Sequence, residues 1–186
     1  MKTMTTSLEG LLILEPRVFE DERGYFLETY HNLRYRDCGI DKLFVQDNLS
    51  FSTKNTLRGL HFQISRPQTK LVQVITGEIF DVAVDIRPGS TTFGKWMGIV
   101  LSEGNKRQFL IPDGFAHGFC VLSRSAHVAY KCTALYNPAD EGGILWSDPN
   151  IGIDWPIKHP ILSDKDRQLP YLSDLKPAQL LGGTSQ

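Results

Sequence analysis

A chain of 186 residues with 41% apolar and 22% charged side chains is one domain's worth of material, enough to bury a single sizeable core. Twenty basic against twenty-one acidic residues leave a net charge of −1, which supplies no global field for wrapping a nucleic acid. The longest early apolar run, Leu11-Leu12-Ile13-Leu14, is too short for a signal segment or a membrane span, so a cytoplasmic protein with no membrane partner is expected.

Residues 7–19 hold short apolar runs broken by Gly10 and Pro16. Asp21-Glu22-Arg23-Gly24 then turns into Tyr25-Phe26-Leu27-Glu28-Thr29-Tyr30, whose alternation predicts a strand with Phe26, Glu28 and Tyr30 on one face. So near the terminus, that strand can pair within its own sheet or with a partner chain. Residues 31–42, with Gly39 as a stop, predict one short helix.

Beyond Asp41 the pattern is β. Phe44 to Asn48 and Leu57 to Ile64 are strand candidates, and Leu71 to Ile75 and Glu78 to Ile86 flank Thr76-Gly77 as a predicted hairpin. In the last of these Phe80, Val82, Val84 and Ile86 share a face, leaving Asp81, Ala83 and Asp85 on the other. Further strands are expected near Gly98 to Leu101, Gln108 to Ile111, Gly118 to Leu122 and His127 to Leu135, between turns such as Pro88-Gly89 and Pro112-Asp113-Gly114. Many short strands at this spacing indicate a sandwich or barrel. Trp146 to Pro156 reads as irregular, and Ser163-Asp164-Lys165-Asp166 as the opening of a helical turn. Cys38, Cys120 and Cys132 show no paired spacing and read as reduced core residues.

From Asn48 through Gly77 there is no Asp or Glu, yet Lys54, Arg58, Arg66 and Lys70 all fall there, which makes a local anion site. The same stretch carries His61, a residue type suited to moving protons near neutral pH. A histidine base needs an acceptor on its second ring nitrogen, and Asp81, Asp85 and Asp166 are the available carboxylates. Lys70 can stabilise negative charge developing on an oxygen, and a tyrosine such as Tyr130 can return a proton from the opposite side. Taken by itself, Tyr130 equally fits a core aromatic with a bonded hydroxyl. Arg58 and His61 are three apart, so both look inward only if a bulge intervenes at Gly59.

Pro112-x-Gly114-x-x-His117 resembles the second signature of the cupin barrels. The metal-binding members carry His-x-His and a Glu in their first signature; here that place reads His61-Phe62-Gln63. A carboxamide binds divalent transition metals weakly, so no metal is expected. Six blocks then match in order: Asp21-Glu22-Arg23-Gly24, Gln46-Asp47-Asn48, Leu57 to Gln63, Phe80 to Arg87, Ile111 to Phe119, and Leu162-Ser163-x-Lys165-Asp166. Together they resemble the dTDP-4-dehydrorhamnose 3,5-epimerase family over roughly residues 8–170.

The resemblance implies an all-β cupin or jelly-roll barrel with a few short peripheral helices, one domain spanning 1–186. It implies a homodimer in which residues 1–30 pair or exchange with the neighbour; the sequence itself, ending in Leu181-Gly182-Gly183-Thr184-Ser185-Gln186, predicts a loose tail at 176–186. It implies cofactor-free inversion of C3 and C5 of a dTDP-4-keto-6-deoxy sugar. His61 matches the family's base, Tyr130 its acid, Asp166 the base's partner, Asp81 and His117 a second inward pair, and Lys70 the cation at the C4 oxygen. Arg58 matches the pyrophosphate contact, Gln46 and Asn48 nucleotide contacts, and Lys165 a further substrate contact. Arg23, Phe26 and Glu28 match the segment that reaches the nucleotide from the neighbouring subunit. Where some members carry adjacent tyrosines this chain has Leu135-Tyr136, which keeps a single-carbon epimerase open as the alternative. A metal-dependent cupin enzyme and a non-catalytic sugar-nucleotide binding module are the remaining readings.

Overall fold

The structure is a computed structural model and describes residues 1–180. In chain order it runs β1 (Lys2–Thr5), β2 (Leu12–Glu15), β3 (Val18–Asp21), β4 (Gly24–Leu27), helix α1 (Asn32–Asp37), β5 (Gln46–Thr53), β6 (Leu57–Gln63) and β7 (Lys70–Thr76). It continues with β8 (Glu78–Asp85), β9 (Trp96–Ser102), β10 (Gln108–Ile111), β11 (Phe115–Val121), β12 (Ser125–Cys132), β13 (Glu141–Gly143), α2 (Asp164–Arg167) and α3 (Pro177–Leu180). A six-stranded sheet ordered β1-β2-β10-β7-β12-β5 faces a five-stranded sheet ordered β13-β6-β11-β8-β9, and β3 with β4 forms a separate ribbon. All the strand pairs are antiparallel, and the two sheets make the expected jelly-roll barrel of the cupin type.

Val72, Ala83, Phe109, Phe119 and Val128 meet between the sheets and are buried. The opposite face of β8, with Val82 and Val84, packs under the C-terminal segment through Ile144, Trp155, Leu172 and Leu180. Burying each large apolar side chain contributes about 1.5–3 kcal/mol, and a one-residue slip would swap the two faces. That double constraint is why the alternation in 80–86 points Asp81, Ala83 and Asp85 toward the barrel interior, as its pattern predicts.

The hairpin predicted at Thr76-Gly77 is not formed. β7 pairs with β10 and β12, whereas β8 pairs with β11 and β9, so the chain crosses from one sheet to the other at this corner. Gly77 has φ +83°, and a Cβ there would lie 2.1 Å from the Ser125 carbonyl oxygen. A corner and a hairpin both call for glycine between alternating runs; only the long-range partners tell them apart. Elsewhere β5 extends to Thr53, beyond its predicted end, and α1 is shorter than 31–42, with the His31 ring accepting from Arg34 N at its start. The short turn Pro177–Leu180 buries Leu180 against the C-terminal layer, and the remainder of the expected tail, 181–186, lies outside the described residues. Among the described residues no helix is long and apolar enough to cross a membrane.

Asp85, one of the candidate carboxylates, is used structurally. It accepts from Arg87 N, Nε and Nη2 (3.0, 2.9 and 2.7 Å), Ser90 Oγ (2.7 Å) and Thr92 Oγ1 (2.6 Å), tying down the 86–92 turn. Burial alone would raise its pKa, but the hydrogen bonds from Arg87, Thr92 and Ser90 outweigh it and bring it to about 2. A carboxyl whose pKa falls on folding stabilises the fold above its unfolded value, and that stabilisation disappears as pH drops through about 2. Asp85→Asn should therefore cost about 2–4 kcal/mol in urea unfolding at neutral pH, since it uncouples the Arg87 ion pair inside the turn.

Candidate active site

The site is built where β6 meets β11. His117 lies opposite His61 and Phe119 opposite Arg58, so β6 advances three residues while β11 advances two. This is the expected bulge, and it turns Arg58 and His61 onto one cavity despite their odd spacing. Gly59 has φ +108°, and a Cβ on it would sit 2.5 Å from the His117 carbonyl oxygen; one on Gly118 would sit 2.6 Å from that of Arg58. The two main chains touch here, so only glycine fits on either side.

His61 Nε2 lies 2.6 Å from Asp166 Oδ1. Asp166 rides on α2, where Ser163 caps the turn by accepting from Asp166 N at 3.1 Å. Burial would raise the Asp166 carboxyl, but the bond to His61 and the Ser163 contact prevail and hold it below the usual carboxylate range. An ionised carboxylate can only accept, so Nε2 carries the proton and the Nδ1 lone pair is left free. Glu141 Oε1 stands 3.8 Å from that Nδ1. Behind, His117 Nε2 is bonded to both oxygens of the fully buried Asp81 (3.0 and 3.1 Å), and burial pushes the His117 imidazole's pKa down.

Lys70 opens β7 opposite Cys132, and Tyr130 stands on β12 opposite Asn48. Burial lowers the Lys70 ammonium's pKa, against the opposing pull of Cys132, Asp81 and Glu141, and burial raises that of the Tyr130 phenol. Neither head group is tied to another side chain by a hydrogen bond among the described residues. His61, Lys70 and Tyr130 all line a cavity of about 470 Å³ together with Arg58, Lys165 and Asp166, and the same three also line an adjoining chamber of about 270 Å³. An imidazole lone pair, an unpaired ammonium and an unpaired phenol facing one space can deprotonate carbon, stabilise an enolate and reprotonate.

Gln46, Asn48, Ser50 and Ser52 line the cavity side of β5. Arg58 Nε donates to Ser52 Oγ at 2.9 Å, while Gln46 and Asn48, bonded to each other at 2.9 Å, sit in the second chamber across the trio from Arg58. Lys165 reaches the first cavity and pairs with Glu141. Arg23, Phe26 and Glu28 are not brought to the cavity within this chain: Arg23 pairs with Asp21, Glu28 with Arg34, and Phe26 is 69% exposed on the β3–β4 ribbon.

Gln63, in the place of a metal-binding histidine, has its amide committed to backbone. Its Nε2 donates to Arg66 O and Leu135 O (2.9 and 3.3 Å), and its Oε1 accepts from Asn137 N at 2.6 Å. With its amide spent on backbone, Gln63 offers no ligand where the metal-binding pattern has a histidine. Among the described residues no cluster of three or more His, Cys, Asp or Glu is arranged to hold one.

Glu141 escaped the sequence reading, and Tyr136 entered it only through the Leu135-Tyr136 departure from the family pattern. Glu141 sits on a three-residue strand without periodicity, and only its pairing beside β6 brings its carboxylate to His61. Tyr136 OH donates to Glu141 Oε2 at 2.6 Å from a loop held by Gln46, whose Oε1 accepts from Tyr136 N.

Comparison with known proteins bears on what this arrangement serves. The family model described as dTDP-4-dehydrorhamnose 3,5-epimerase matches residues 5–174. The dTDP-4-dehydrorhamnose 3,5-epimerase of Methanothermobacter thermautotrophicus is 56% identical over 165 residues, covering 87% of this chain and 89% of that protein. The Escherichia coli enzyme of the same name is 50% identical over 184 residues, covering 97% and 100%. A crystal structure of the Legionella pneumophila dTDP-6-deoxy-D-glucose-3,5-epimerase in complex with dTDP-4-keto-L-rhamnose superposes with a TM-score of 0.95 at 49% identity, covering 99% of both chains.

Proposed function

Since the chain belongs to the dTDP-4-dehydrorhamnose 3,5-epimerase family, we propose that it inverts C3 and C5 of dTDP-4-dehydro-6-deoxy-D-glucose to give dTDP-4-dehydro-L-rhamnose by proton transfer alone. The carrying observation is that His61, Lys70 and Tyr130 share one cavity with their reactive groups uncommitted. The C4 ketone acidifies the C–H bonds at both neighbouring carbons, so a single cation serves two deprotonations. His61 Nδ1 takes the proton, Asp166 stabilises the imidazolium, Lys70 holds the enolate oxygen, and Tyr130 protonates the opposite face. Return of the proton from the same face would restore the starting sugar, which is why a base and a separate acid are needed. Asp81 and His117 act as a buried second pair beside the sugar. Arg58 holds the pyrophosphate, with Lys165, Gln46 and Asn48 as further substrate contacts. Reaction in deuterated water tests this: label at both C3 and C5 is expected, and label at one carbon overturns it in favour of a single-carbon epimerase. The free thiols of Cys38, Cys120 and Cys132 suit a reducing compartment, which supports work in the cytoplasm.

The working unit is a homodimer in which the β3–β4 ribbon brings Arg23, Phe26 and Glu28 to the neighbour's nucleotide. Supporting this, Phe19, Tyr25 and Phe26 stand exposed on that ribbon, and Leu49 and Phe51 are exposed on the outer face of edge strand β5. Losing an aromatic stack on a base costs about 1–3 kcal/mol, so Phe26→Ala should raise KM roughly tenfold or more while leaving kcat at saturation nearly intact. Mixing Phe26→Ala with a His61-defective chain should then recover activity at low substrate that neither has alone. In the mixed dimer one site receives both intact residues; no recovery would place Phe26 within its own chain's site.

A further inference from the structure

The β3–β4 ribbon stands apart from both main sheets. Its two strands pair only with each other, and Phe19, Tyr25 and Phe26 on it are largely exposed. A lone two-stranded hairpin is marginally stable in water, yet a nucleotide contact from Phe26 requires the ribbon to point one way. Its foot is tied to α1, where Arg34 Nη1 donates to both oxygens of Glu28 (2.7 and 2.6 Å). The catalytic groups do nothing to hold its far end.

The register gives the ribbon two faces. Phe19 lies opposite Phe26, with 6.5 Å between ring centroids, whereas Glu20 lies opposite Tyr25, so alternation puts Tyr25 on the reverse side. There the Lys106 ammonium sits 3.7 Å from the centroid of the Tyr25 ring, well within reach of a cation–π contact. Tyr25 directly follows the Asp21–Gly24 turn, so Lys106 grips the end of the ribbon away from Glu28. We propose that Lys106 is a positioning residue that braces the ribbon through Tyr25, so that the Phe26 face is already ordered for the nucleotide when the dTDP sugar arrives. This inference rests on the proposed nucleotide role of the ribbon.

The loop between β9 and β10 that carries Lys106 is built to hold it still. Lys106 Nζ also donates to Glu103 O, which fixes the ammonium from a second direction. Asn105 Oδ1 accepts from Ser102 N and Arg107 N (3.1 and 3.0 Å), and its Nδ2 donates to Val100 O at 2.9 Å. Glu103 N donates to Gly77 O at 3.0 Å, and Gly77 N donates back to Glu103 Oε2 at 3.1 Å, which ties the loop to the corner between the sheets. Arg107 pairs with Glu15 on β2 at 2.9 Å. The support therefore reaches both sheets, and the ribbon inherits its rigidity through one ring. A segment ordered beforehand spares binding the free energy of ordering it. Lys106 touches neither the acid-base pair nor the cavity, so its effect falls on binding and not on the chemical step.

The test measures Kd for dTDP by calorimetry, and KM and kcat with the dTDP-keto sugar, on the full chain. Lys106→Gln should raise Kd and KM about two- to fivefold, the worth of an exposed cation–π contact, and leave kcat at saturation unchanged. Lys106→Arg should restore wild-type values, since a guanidinium also stacks on a ring. Tyr25→Leu should match Lys106→Gln, and the double variant should bind no worse than either single one. Effects that multiply in the double variant, or a fall in kcat with KM unchanged, overturn the brace. Should Tyr25→Leu fold poorly, the contrast between Lys106→Gln and Lys106→Arg decides alone, since Lys106 lies at the surface. Phe26→Ala separates the two readings. If it weakens dTDP binding while Lys106→Gln does not, the brace alone is overturned; if it leaves dTDP binding unchanged, the ribbon's nucleotide role falls and the brace with it.

Discussion

His61→Ala should lose deuterium exchange at C3 and at C5 together, each by at least about 10²–10⁴-fold. Equal loss at both carbons is the telling outcome, because the cavity offers a second imidazole. His117 is buried and spends Nε2 on both oxygens of Asp81, and burial keeps it from taking a proton readily. Were His117 the base for one carbon, exchange there would survive the substitution. Asp166→Asn probes the same arrangement more gently. The amide can still meet His61 Nε2, but it no longer stabilises an imidazolium, so rate should fall at both carbons while substrate binding is retained. NMR of the product after reaction in deuterated water reads each carbon separately.

Lys70→Met should separate catalysis from stability in opposite directions. Losing a preorganised donor at a developing oxyanion costs about 10²–10³ in kcat, and nothing else among the described residues offers Lys70's free ammonium to the space between His61 and Tyr130. Stability should not fall with it. Burial lowers the Lys70 pKa on folding, so the folded chain binds that proton less tightly than the unfolded one. The charge therefore opposes folding in full below the folded pKa, and the opposition fades only as pH rises from there toward the unfolded value. A thioether of similar length removes it, and the urea midpoint at neutral pH should hold or rise. A clear drop in that midpoint would mean that Lys70 is paired in the folded chain and is not held in reserve for substrate.

Several of the residues proposed for the site drew notice in the sequence because each sits in a local pattern, although their roles came from the family resemblance. His61 lies in a basic stretch free of acids, His117 follows a Pro-x-Gly turn, and Asp81 alternates with buried Val82 and Val84. Spacing alone would have put Arg58 and His61 on opposite faces; the bulge named as the condition for both to look inward is present between β6 and β11. What could not be read depended on partners far away in the chain. Alternation gives the face of β8 but not its sheet, so the corner at Gly77 passed for a hairpin. Asp85 shares the inward face with Asp81, yet it is captured by Arg87, Ser90 and Thr92 just downstream. Glu141 has no periodic neighbours at all, and its carboxylate matters only because β13 is laid against β6. For the ribbon of Arg23, Phe26 and Glu28, the single chain leaves those side chains facing outward, where pattern reading cannot tell a solvated surface from one awaiting a second copy.

The crossing of Gly59 and Gly118 limits how this protein could be remade. A methyl group at either position would first meet the other strand's main chain, at 2.5 Å for Gly59 and 2.6 Å for Gly118, so trimming a neighbouring side chain cannot open the space. A laboratory selection for new sugars can exchange chamber walls such as Gln46, Asn48 or Tyr136 one at a time. It has no stepwise route through the crossing, and every descendant that still aims Arg58 and His61 into one space must inherit both glycines.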